Sequence, residues 1–310
     1  MHRRRFGRLC LLPVLIAVLA VASRPAAQVS DPGVLTLTIG AVATPLKPGG
    51  VLLVTVTASH DLSEISGQFA GRPVRFWATA NPREWRALAG VGLDISPGPI
   101  ELTVHGKTSS GLSADSRAAL TIVEHRFETR RIRVDPKMVN PPEAELTRIK
   151  EEARKMAEAF AILTPERLWN GRFDAPVPGV PNSSFGRLTV TNGQPSGRHQ
   201  GTDFRAATGT PVRAPNAGRI VLAQNLYFAG NTVIIDHGLG VFSLLAHLSQ
   251  IDVDAGASVA RGDVVGMSGA TGRVTGPHLH WAIRFSEMTV DPLALMSALA
   301  DLPDALHPAH

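Results

Sequence analysis

The chain has 310 residues, of which 44% are hydrophobic and 18% charged, and its formal net charge is +5. This composition supplies enough apolar side chains for about two folded domains and excludes wholesale disorder. The excess of positive charge lies in the first 27 residues, which contain five arginines and no acidic residue. The rest of the chain has as many basic as acidic residues, which argues against a nucleic-acid-binding protein.

The N-terminal segment has the composition of a secretory signal peptide. Its basic start is followed by an apolar run over residues 9–22 and by small residues at Ala26 and Ala27. That run is too short for a comfortable transmembrane helix, so we predict a cleaved signal peptide over residues 1–27 and an exported, periplasmic or secreted protein without a stable membrane span. An uncleaved anchor is the alternative. The single cysteine, Cys10, lies here, so no thiolate chemistry is expected in the mature chain.

Residues 28–138 are predicted to form an immunoglobulin-like antiparallel β-sandwich. Short segments that alternate apolar and polar residues are separated by turn sequences rich in Gly, Pro and Ser. The predicted strands span residues 34–39, 51–57, 74–78, 100–104 and 118–123. His60, His105 and His125 stand singly in this region, so no catalytic site is expected there.

Residues 139–164 carry the clearest helical pattern. Apolar residues recur three and four positions apart, at Leu146, Ile149, Ala153, Met156, Phe160 and Leu163. Pro141 and Pro142 precede this pattern, and Thr164-Pro165 ends it. We predict a connecting helix that packs on a neighbouring domain and carries its charges on the opposite face. A dimeric coiled coil through the same residues is the alternative.

Residues 165–310, with a core over 184–292, return to β-type patterning. The predicted strands span residues 211–214, 218–223, 232–236, 241–245 and 278–285, and a short helix is predicted over 290–300. The overall prediction is therefore a mainly β protein with two domains joined by a helix.

Five of the eleven histidines lie between residues 199 and 280, and their spacing suggests a metal site. His278 and His280 flank Leu279 in a strand-like segment, so their side chains project from one face. His199 and Asp203 are four apart in a segment whose glycines argue against a helix. In an extended chain both would face the same side, and Gly201 between them would leave space for an ion.

Two histidine nitrogens and one aspartate oxygen, with a fourth position open to water, form the ligand set of a catalytic zinc site. Spacing alone does not decide which of His278 and His280 would bind the metal. Because no glutamate occurs between residues 167 and 286, the proton acceptor must be a histidine or an aspartate. His247, at the end of an apolar strand, is the candidate. We interpret His237, in an Asp-His-Gly turn, as structural.

Six stretches of this region resemble the lysostaphin/LytM-type zinc endopeptidases that cut peptidoglycan peptides. They occur in the family's order: His199-Gln-Gly-Thr-Asp203, Gly209-Thr-Pro-Val212, Ala217-Gly-Arg-Ile-Val221, Gly230-Asn-Thr-Val-Ile-Ile-Asp-His-Gly238, Ala246-His-Leu-Ser249 and Gly276-Pro-His-Leu-His280. The resemblance implies a LytM-type antiparallel β catalytic domain with its site in a groove. It implies an exported zinc-dependent endopeptidase that hydrolyses stem peptides or cross-links of peptidoglycan.

The resemblance also implies roles for five residues. His199, Asp203 and His280 would bind one Zn²⁺ per chain, and His247 and His278 would handle the water and stabilise the oxyanion. Family members often carry a tyrosine two residues before the catalytic histidine, and some use another shortly before the first ligand. This chain departs from both patterns, with Leu245 and the loop at residues 192–193 at these places, and its single tyrosine is Tyr227.

Other functions are compatible with parts of the sequence. A non-catalytic LytM-type activator of a cell-wall amidase typically loses metal ligands, and this chain keeps all three. A wall-binding adhesin built on the sandwich would bind its target without zinc. A lipoyl- or biotin-carrier domain is excluded because no lysine follows Lys155. The N-terminal domain is a candidate surface for a cell-wall regulatory partner.

Overall fold

A computed structural model describes residues 33–42, 46–133, 141–183 and 185–304. From Leu35 onward these residues cluster into one unit that is built mainly from antiparallel β-sheet. The predicted signal peptide at residues 1–27 lies outside the described residues. Within the described ranges, no helix combines the length and the apolar character needed to cross a bilayer.

The N-terminal half contains two four-stranded antiparallel sheets that share one core. Their strands are β1 (Leu37–Val42), β2 (Val51–Ala58), β3 (Glu64–Phe69), β4 (Arg72–Val74), β5 (Phe76–Ala78), β6 (Glu84–Gly90), β7 (Gly98–Lys107) and β8 (Ser113–Ile122). One sheet has the order β1-β2-β6-β5 and the other β4-β3-β7-β8. Leu52, Val54 and Val56 alternate along β2 and are fully buried in this core, as the two-residue period of a strand requires.

The mainly β architecture is confirmed, while the immunoglobulin-like assignment and the domain boundaries stay predictions. Residues 74–78, predicted as one strand, divide between β4 and β5, which belong to different sheets. The sequence pattern gives no signal for β3 or β6. Their Ser, Gly, Gln, Arg and Ala residues have little strand preference of their own, and tertiary packing decides their conformation.

The described residues after β8 contribute thirteen further strands. They are β9 (Thr129–Ile132), β10 (Pro181–Ser183), β11 (Leu188–Thr191), β12 (Gln194–Arg198), β13 (Thr202–Phe204), β14 (Pro211–Arg213), β15 (Gly218–Leu226), β16 (Gly230–Asp236), β17 (Val241–Ile251), β18 (Ser258–Val259), β19 (Val264–Ser268), β20 (Leu279–Phe285) and β21 (Met288–Val290). A ten-stranded sheet follows the path β10-β13-β20-β17-β16-β15-β18, with β14, β19 and β21 paired beside it. A separate small sheet has the order β12-β11-β9, in which β9 runs parallel to β11.

The predicted connecting helix is α1 (Glu143–Ala161), and it packs on the large sheet as expected. The Phe160 ring of α1 packs edge to face against the Phe242 ring of β17, with 5.5 Å between the ring centroids. The prediction of which face of α1 is buried is wrong in part. Leu146, predicted to pack against the sheet, is 41% exposed, whereas Glu152 and Ala159 are buried. The shorter helix α2 (Pro292–Ala298) lies within the predicted range 290–300, and the Asp291 side chain caps it by accepting from Leu293 N–H.

Aromatic and cationic side chains join the two halves of the described unit. Trp77, from the sandwich, is buried in the C-terminal core and meets Trp169 edge to face at 5.0 Å. The Arg167 guanidinium lies over both rings, 5.4 Å from the Trp77 centroid and 5.0 Å from that of Trp169. This contact fixes the sandwich against the large sheet that carries the candidate site.

His237 is a structural residue, as the sequence predicts. Its ring is fully buried, its Nδ1–H donates to the Ala217 carbonyl at 2.7 Å, and its Nε2 accepts from the Ser243 hydroxyl at 2.8 Å. Burial disfavours the charged ring and lowers the pKa of His237 to about 4. In the unfolded chain the imidazole takes up a proton near pH 6.5, whereas in the folded chain it does so only near pH 4. The free energy of unfolding therefore falls as the pH drops from 6.5 to 4.

We therefore expect the free energy of unfolding to fall by on the order of 3 kcal/mol between pH 6.5 and pH 4 on account of His237. Urea unfolding across this range measures it. His237→Gln should flatten the pH dependence, whereas Ser243→Ala, which keeps the imidazole, should lower stability and leave the pH dependence in place. An unchanged slope in His237→Gln would contradict this account.

Candidate metal centre and active-site groove

The candidate metal centre is built on the pairing of β13 with β20. Their register places Asp203 directly opposite His280, so both side chains project from one face of the sheet. His199 lies just before β13, where its N–H donates to Arg187 O at 2.9 Å and its carbonyl accepts from Gly186 N–H at 2.8 Å. These backbone contacts extend the small sheet and hold His199 beside the other two residues.

Three side-chain atoms converge at this point. Asp203 Oδ1 lies 3.0 Å from His199 Nε2 and 2.9 Å from His280 Nδ1, and the two nitrogens are 3.1 Å apart. Donors about 2.0–2.1 Å from a tetrahedral zinc ion would lie roughly 3.3 Å from one another. The separations and the donor set, two imidazoles and one carboxylate, therefore fit zinc. Of His278 and His280, the structure brings His280 into this group.

The role predicted for Gly201 needs a correction. A Cβ on this residue would come within 2.6 Å of the His280 ring and of the Trp281 carbonyl oxygen. Glycine is therefore required so that the His280 imidazole can lie against the backbone between the other two ligands. The space it leaves is taken by the ring of a ligand and not by the ion.

The environment keeps Asp203 ionised and His280 neutral. Burial alone would raise the pKa of Asp203, but hydrogen bonds from His199 and His280 outweigh it and hold this pKa well below its usual value. Burial lowers the pKa of His280, although the hydrogen bond to Asp203 acts in the opposite direction. A carboxylate and a neutral imidazole are the forms that bind a metal ion.

His247 lies where β17 changes its pairing partner. Residues up to Ala246 pair with β20, and from Leu248 onward the strand pairs with β19. At the change His247 adopts φ +66°, a left-handed conformation that is uncommon for a residue with a side chain. Its N–H donates to Ala229 O at 2.9 Å, which secures the irregularity. The break in the ladder turns the imidazole toward His278 and His280, with ring centroids 4.9 and 6.0 Å away.

Backbone carbonyls orient both remaining histidines. Nδ1–H of His247 donates to Thr271 O at 2.9 Å, and Nδ1–H of His278 donates to Gly276 O at 2.8 Å. A carbonyl can only accept, so the hydrogen on each neutral ring is on Nδ1 and the lone pair is on Nε2. Nε2 of His278 lies 3.8 Å from Asp203 Oδ1. Burial, followed by the neighbouring histidines, lowers the pKa of His247 to about 3, which keeps it neutral near pH 7.

All five predicted residues line one groove with a volume of about 370 Å³. Its other walls come from the small sheet, from Phe228 and Ala229 before β16, and from the loop at residues 273–275. Leu245 is fully buried in the core, and Tyr227 does not line the groove. The groove therefore has no tyrosine hydroxyl. The tyrosines that family members often place near the site have no counterpart in this groove.

Glu152 of α1 is a contributor that the sequence pattern did not indicate. Its buried carboxylate accepts from the backbone N–H of Tyr227 at 2.7 Å and from Arg148 at 2.7 Å. Tyr227 precedes Phe228 and Ala229, which line the groove, and Ala229 accepts from the His247 backbone. Glu152 thus ties the helix to the loop that supports His247. Apolar periodicity cannot show a carboxylate whose partner is a distant backbone N–H.

Comparison with known proteins identifies relatives of this region. Residues 197–292 match the model of peptidase family M23. A crystal structure described as a peptidase M23 from Pseudomonas aeruginosa is 32% identical, with a TM-score of 0.63, and the match covers 83% of this chain and 96% of that one. The peptidoglycan DD-endopeptidase ShyA of Vibrio cholerae is 48% identical over 85 residues, which are 27% of this chain and 20% of that protein.

A further curated relative is the DD-carboxypeptidase/endopeptidase Mpg of Neisseria meningitidis. It is 41% identical over 107 residues, which are 34% of this chain and 25% of that protein. The matches to these two curated relatives thus span a fifth to a quarter of their length.

The histidine geometry separates metal binding from turnover. We expect His280→Ala to lose bound zinc, because one of three converging ligand atoms is removed. His247→Ala should keep zinc at one ion per chain, since its Nε2 is not among those atoms. Metal analysis of the two purified variants after dialysis against buffered zinc measures this difference. Equal zinc content in both would contradict the assignment.

The Glu152 contact predicts that alanine variants at two adjacent positions differ in their free energy of unfolding. Glu152→Ala should cost about 1–3 kcal/mol, because it leaves the partly buried Tyr227 N–H without its acceptor. Glu151→Ala is the matched control, and we expect no measurable loss, since Glu151 pairs with Arg154 in solvent. Urea unfolding of both variants compares them. Equal losses would show that Glu152 acts only as a surface charge of the helix.

Proposed function

Because the chain belongs to peptidase family M23, we propose that it is an exported, zinc-dependent endopeptidase that hydrolyses peptide bonds in the stem peptides or cross-links of peptidoglycan. The observation that carries this proposal is the convergence of His199, Asp203 and His280 in a groove that also presents His247 and His278. The names of the ShyA and Mpg relatives support the substrate class.

The zinc ligands are proposed to be His199, Asp203 and His280. Bound there, zinc would supply Lewis acidity for the scissile carbonyl and would lower the pKa of a bound water towards roughly 7. The carboxylate of Asp203 offsets the charge of the ion, and the pairing of β13 with β20 fixes two of the three ligands before metal binds. The chain therefore holds its ligand atoms in place and needs little rearrangement.

His247 is proposed as the proton acceptor. Its Nδ1–H is committed to Thr271 O, so the lone pair on Nε2 is the basic atom. The lowered pKa of His247 keeps that lone pair free of a proton at neutral pH. Thr271 can approach because residue 230 is glycine: a Cβ there would lie 2.2 Å from Thr271 Oγ1.

His278 is proposed as the second member of the catalytic pair. Its Nδ1–H is committed to Gly276 O, so Nε2 donates to a developing oxyanion only when the ring carries both protons. Asp203 Oδ1, 3.8 Å from that nitrogen, lies on the side where a positive charge would form. The two histidines thus divide proton acceptance and charge stabilisation.

Export and a regulatory contact are parts of the same proposal. A basic, apolar N-terminal segment supports export, and the peptidoglycan enzymes among the relatives support a cell-wall location. The sandwich contributes no catalytic residue, but it is fixed to the catalytic half through Trp77 and Arg167. We propose that this half is where a cell-wall regulatory partner binds.

Digestion of purified sacculi tests the function. The zinc-loaded protein should release peptides with new ends, which mass spectrometry would identify, and a zinc chelator should abolish them. His247→Ala should keep zinc and lower the rate by about 10²–10⁴-fold, the usual contribution of a general base. Gln200→Ala, which changes another groove residue without touching the five histidine and aspartate positions, serves as the control.

Two outcomes would count against the proposal. If zinc is confirmed in the sample and the peptide profile of the sacculi is unchanged, the proposed hydrolysis of peptidoglycan is wrong. Product formation that persists in chelator would remove the dependence on zinc.

A further inference from the structure

The sandwich approaches the candidate metal centre through one turn, at residues 47–50. Within this turn Gly50 N–H donates to Lys47 O at 2.8 Å, and Gly49 N–H donates to Val91 O at 2.7 Å, just after β6. Gly49 has φ +89°, a left-handed conformation that glycine adopts without strain. The turn is therefore fixed within the sandwich, and Gly49 contacts the catalytic half through its carbonyl oxygen and its α-carbon.

One contact of this turn leads to Asp203. Gly49 O accepts from Asp291 N–H at 2.8 Å, and Asp291 Oδ1 accepts from the Thr202 hydroxyl at 3.3 Å. The same oxygen accepts from Leu293 N–H at 3.0 Å, which fixes the carboxylate at the start of α2. Thr202 is fully buried and directly precedes Asp203 in β13. Because successive residues of a strand point to opposite faces, the hydroxyl anchors β13 from the side away from the metal ligands.

A second contact of the turn leads to His199. A Cβ on Gly49 would lie 2.7 Å from the Phe185 ring, which is 3% exposed. Gly186, the next residue in the chain, donates its N–H to His199 O at 2.8 Å. The absence of a side chain on Gly49 therefore lets the Phe185 ring lie against the turn, and this packing places the backbone that holds His199.

We propose that the turn at residues 47–50 positions two of the three zinc ligands, with Thr202, Asp291 and Phe185 as the positioning residues between the turn and the ligands. The inference rests on the proposed zinc peptidase function and extends it, because it gives the sandwich a part in metal binding although the sandwich supplies no ligand. Groups that hold metal ligands in place are worth about 10–100-fold in metal affinity. Since this turn acts through intervening residues, we expect effects at the lower end of that range.

Thr202→Val tests the first contact, because valine has the shape of threonine and lacks its hydroxyl. We expect the dissociation constant for zinc, measured on the full chain by competition with a chromophoric chelator, to rise about tenfold. The visible spectrum of the Co²⁺-loaded chain should change as well, since it reports the geometry of the ligands and not the free energy of unfolding. Thr202→Ser restores a hydroxyl and should return both the affinity and the spectrum to those of the unmodified chain.

Gly49→Ala tests the turn itself, and Gly111→Ala is its matched control. Both glycines belong to the sandwich, with φ +89° and φ +90°, so alanine strains the backbone to a similar degree at each. A Cβ on Gly111 meets no atom within 4 Å, whereas one on Gly49 meets the Phe185 ring. We expect zinc affinity to fall about tenfold in Gly49→Ala and to stay unchanged in Gly111→Ala. Should Gly49→Ala fail to fold, the two Thr202 variants decide.

The outcomes separate this inference from the proposed function. Unchanged zinc affinity and an unchanged Co²⁺ spectrum in Thr202→Val would overturn the inference and leave the proposed peptidase standing. Equal losses in Gly49→Ala and Gly111→Ala, or in Thr202→Val and Thr202→Ser, would also overturn it, because they would show a general loss of packing. If the unmodified chain binds no zinc, the proposed function is wrong and the inference falls with it.

Discussion

The candidate site depends on a single register, that of β13 against β20. Asp203 faces His280 only because Thr202 opposes Trp281 and Phe204 opposes Leu279. A slip by one residue would turn one ligand to the other face of the sheet. It would also expose Phe204, Leu279 or Trp281, each of which is 1% exposed or less. The apolar neighbours of the ligands therefore set the geometry of the polar atoms, and the site is as well defined as the core beneath it.

The third ligand joins this register to the remainder of the chain. His199 is held by the backbone of residues 186 and 187, and that strand region pairs in parallel with β9. On the other side of the groove, α1 holds the loop before β16 through Glu152 and Tyr227. Segments that precede the matched family region thus support the groove on two sides, and the catalytic fold of this chain is not independent of them.

The sequence contains most of the information on the site and less on its surroundings. The five candidate residues lie in short local motifs, and their strands have clear two-residue or apolar patterns, so spacing and resemblance predict residues that the structure brings into one groove. The choice between His278 and His280 required the strand register. The pairing of β9 with β11 is invisible because it joins residues about sixty positions apart without a local signal. The buried face of α1 differs from the predicted one for a related reason. Glu152 is buried because it accepts a hydrogen bond from a distant loop, which the apolar periodicity of the helix does not show.

At His247 the left-handed backbone sets stability against the proposed catalytic role of the side chain. A β-carbon at φ +66° costs on the order of 1 kcal/mol that glycine would avoid, yet glycine has no imidazole. Glycine would relieve this backbone strain, whereas the imidazole supplies the hydrogen bond to Thr271 O and the basic atom of the proposed proton transfer. A protein of this fold that did not need the proposed proton transfer could therefore carry glycine at this position and avoid the strain.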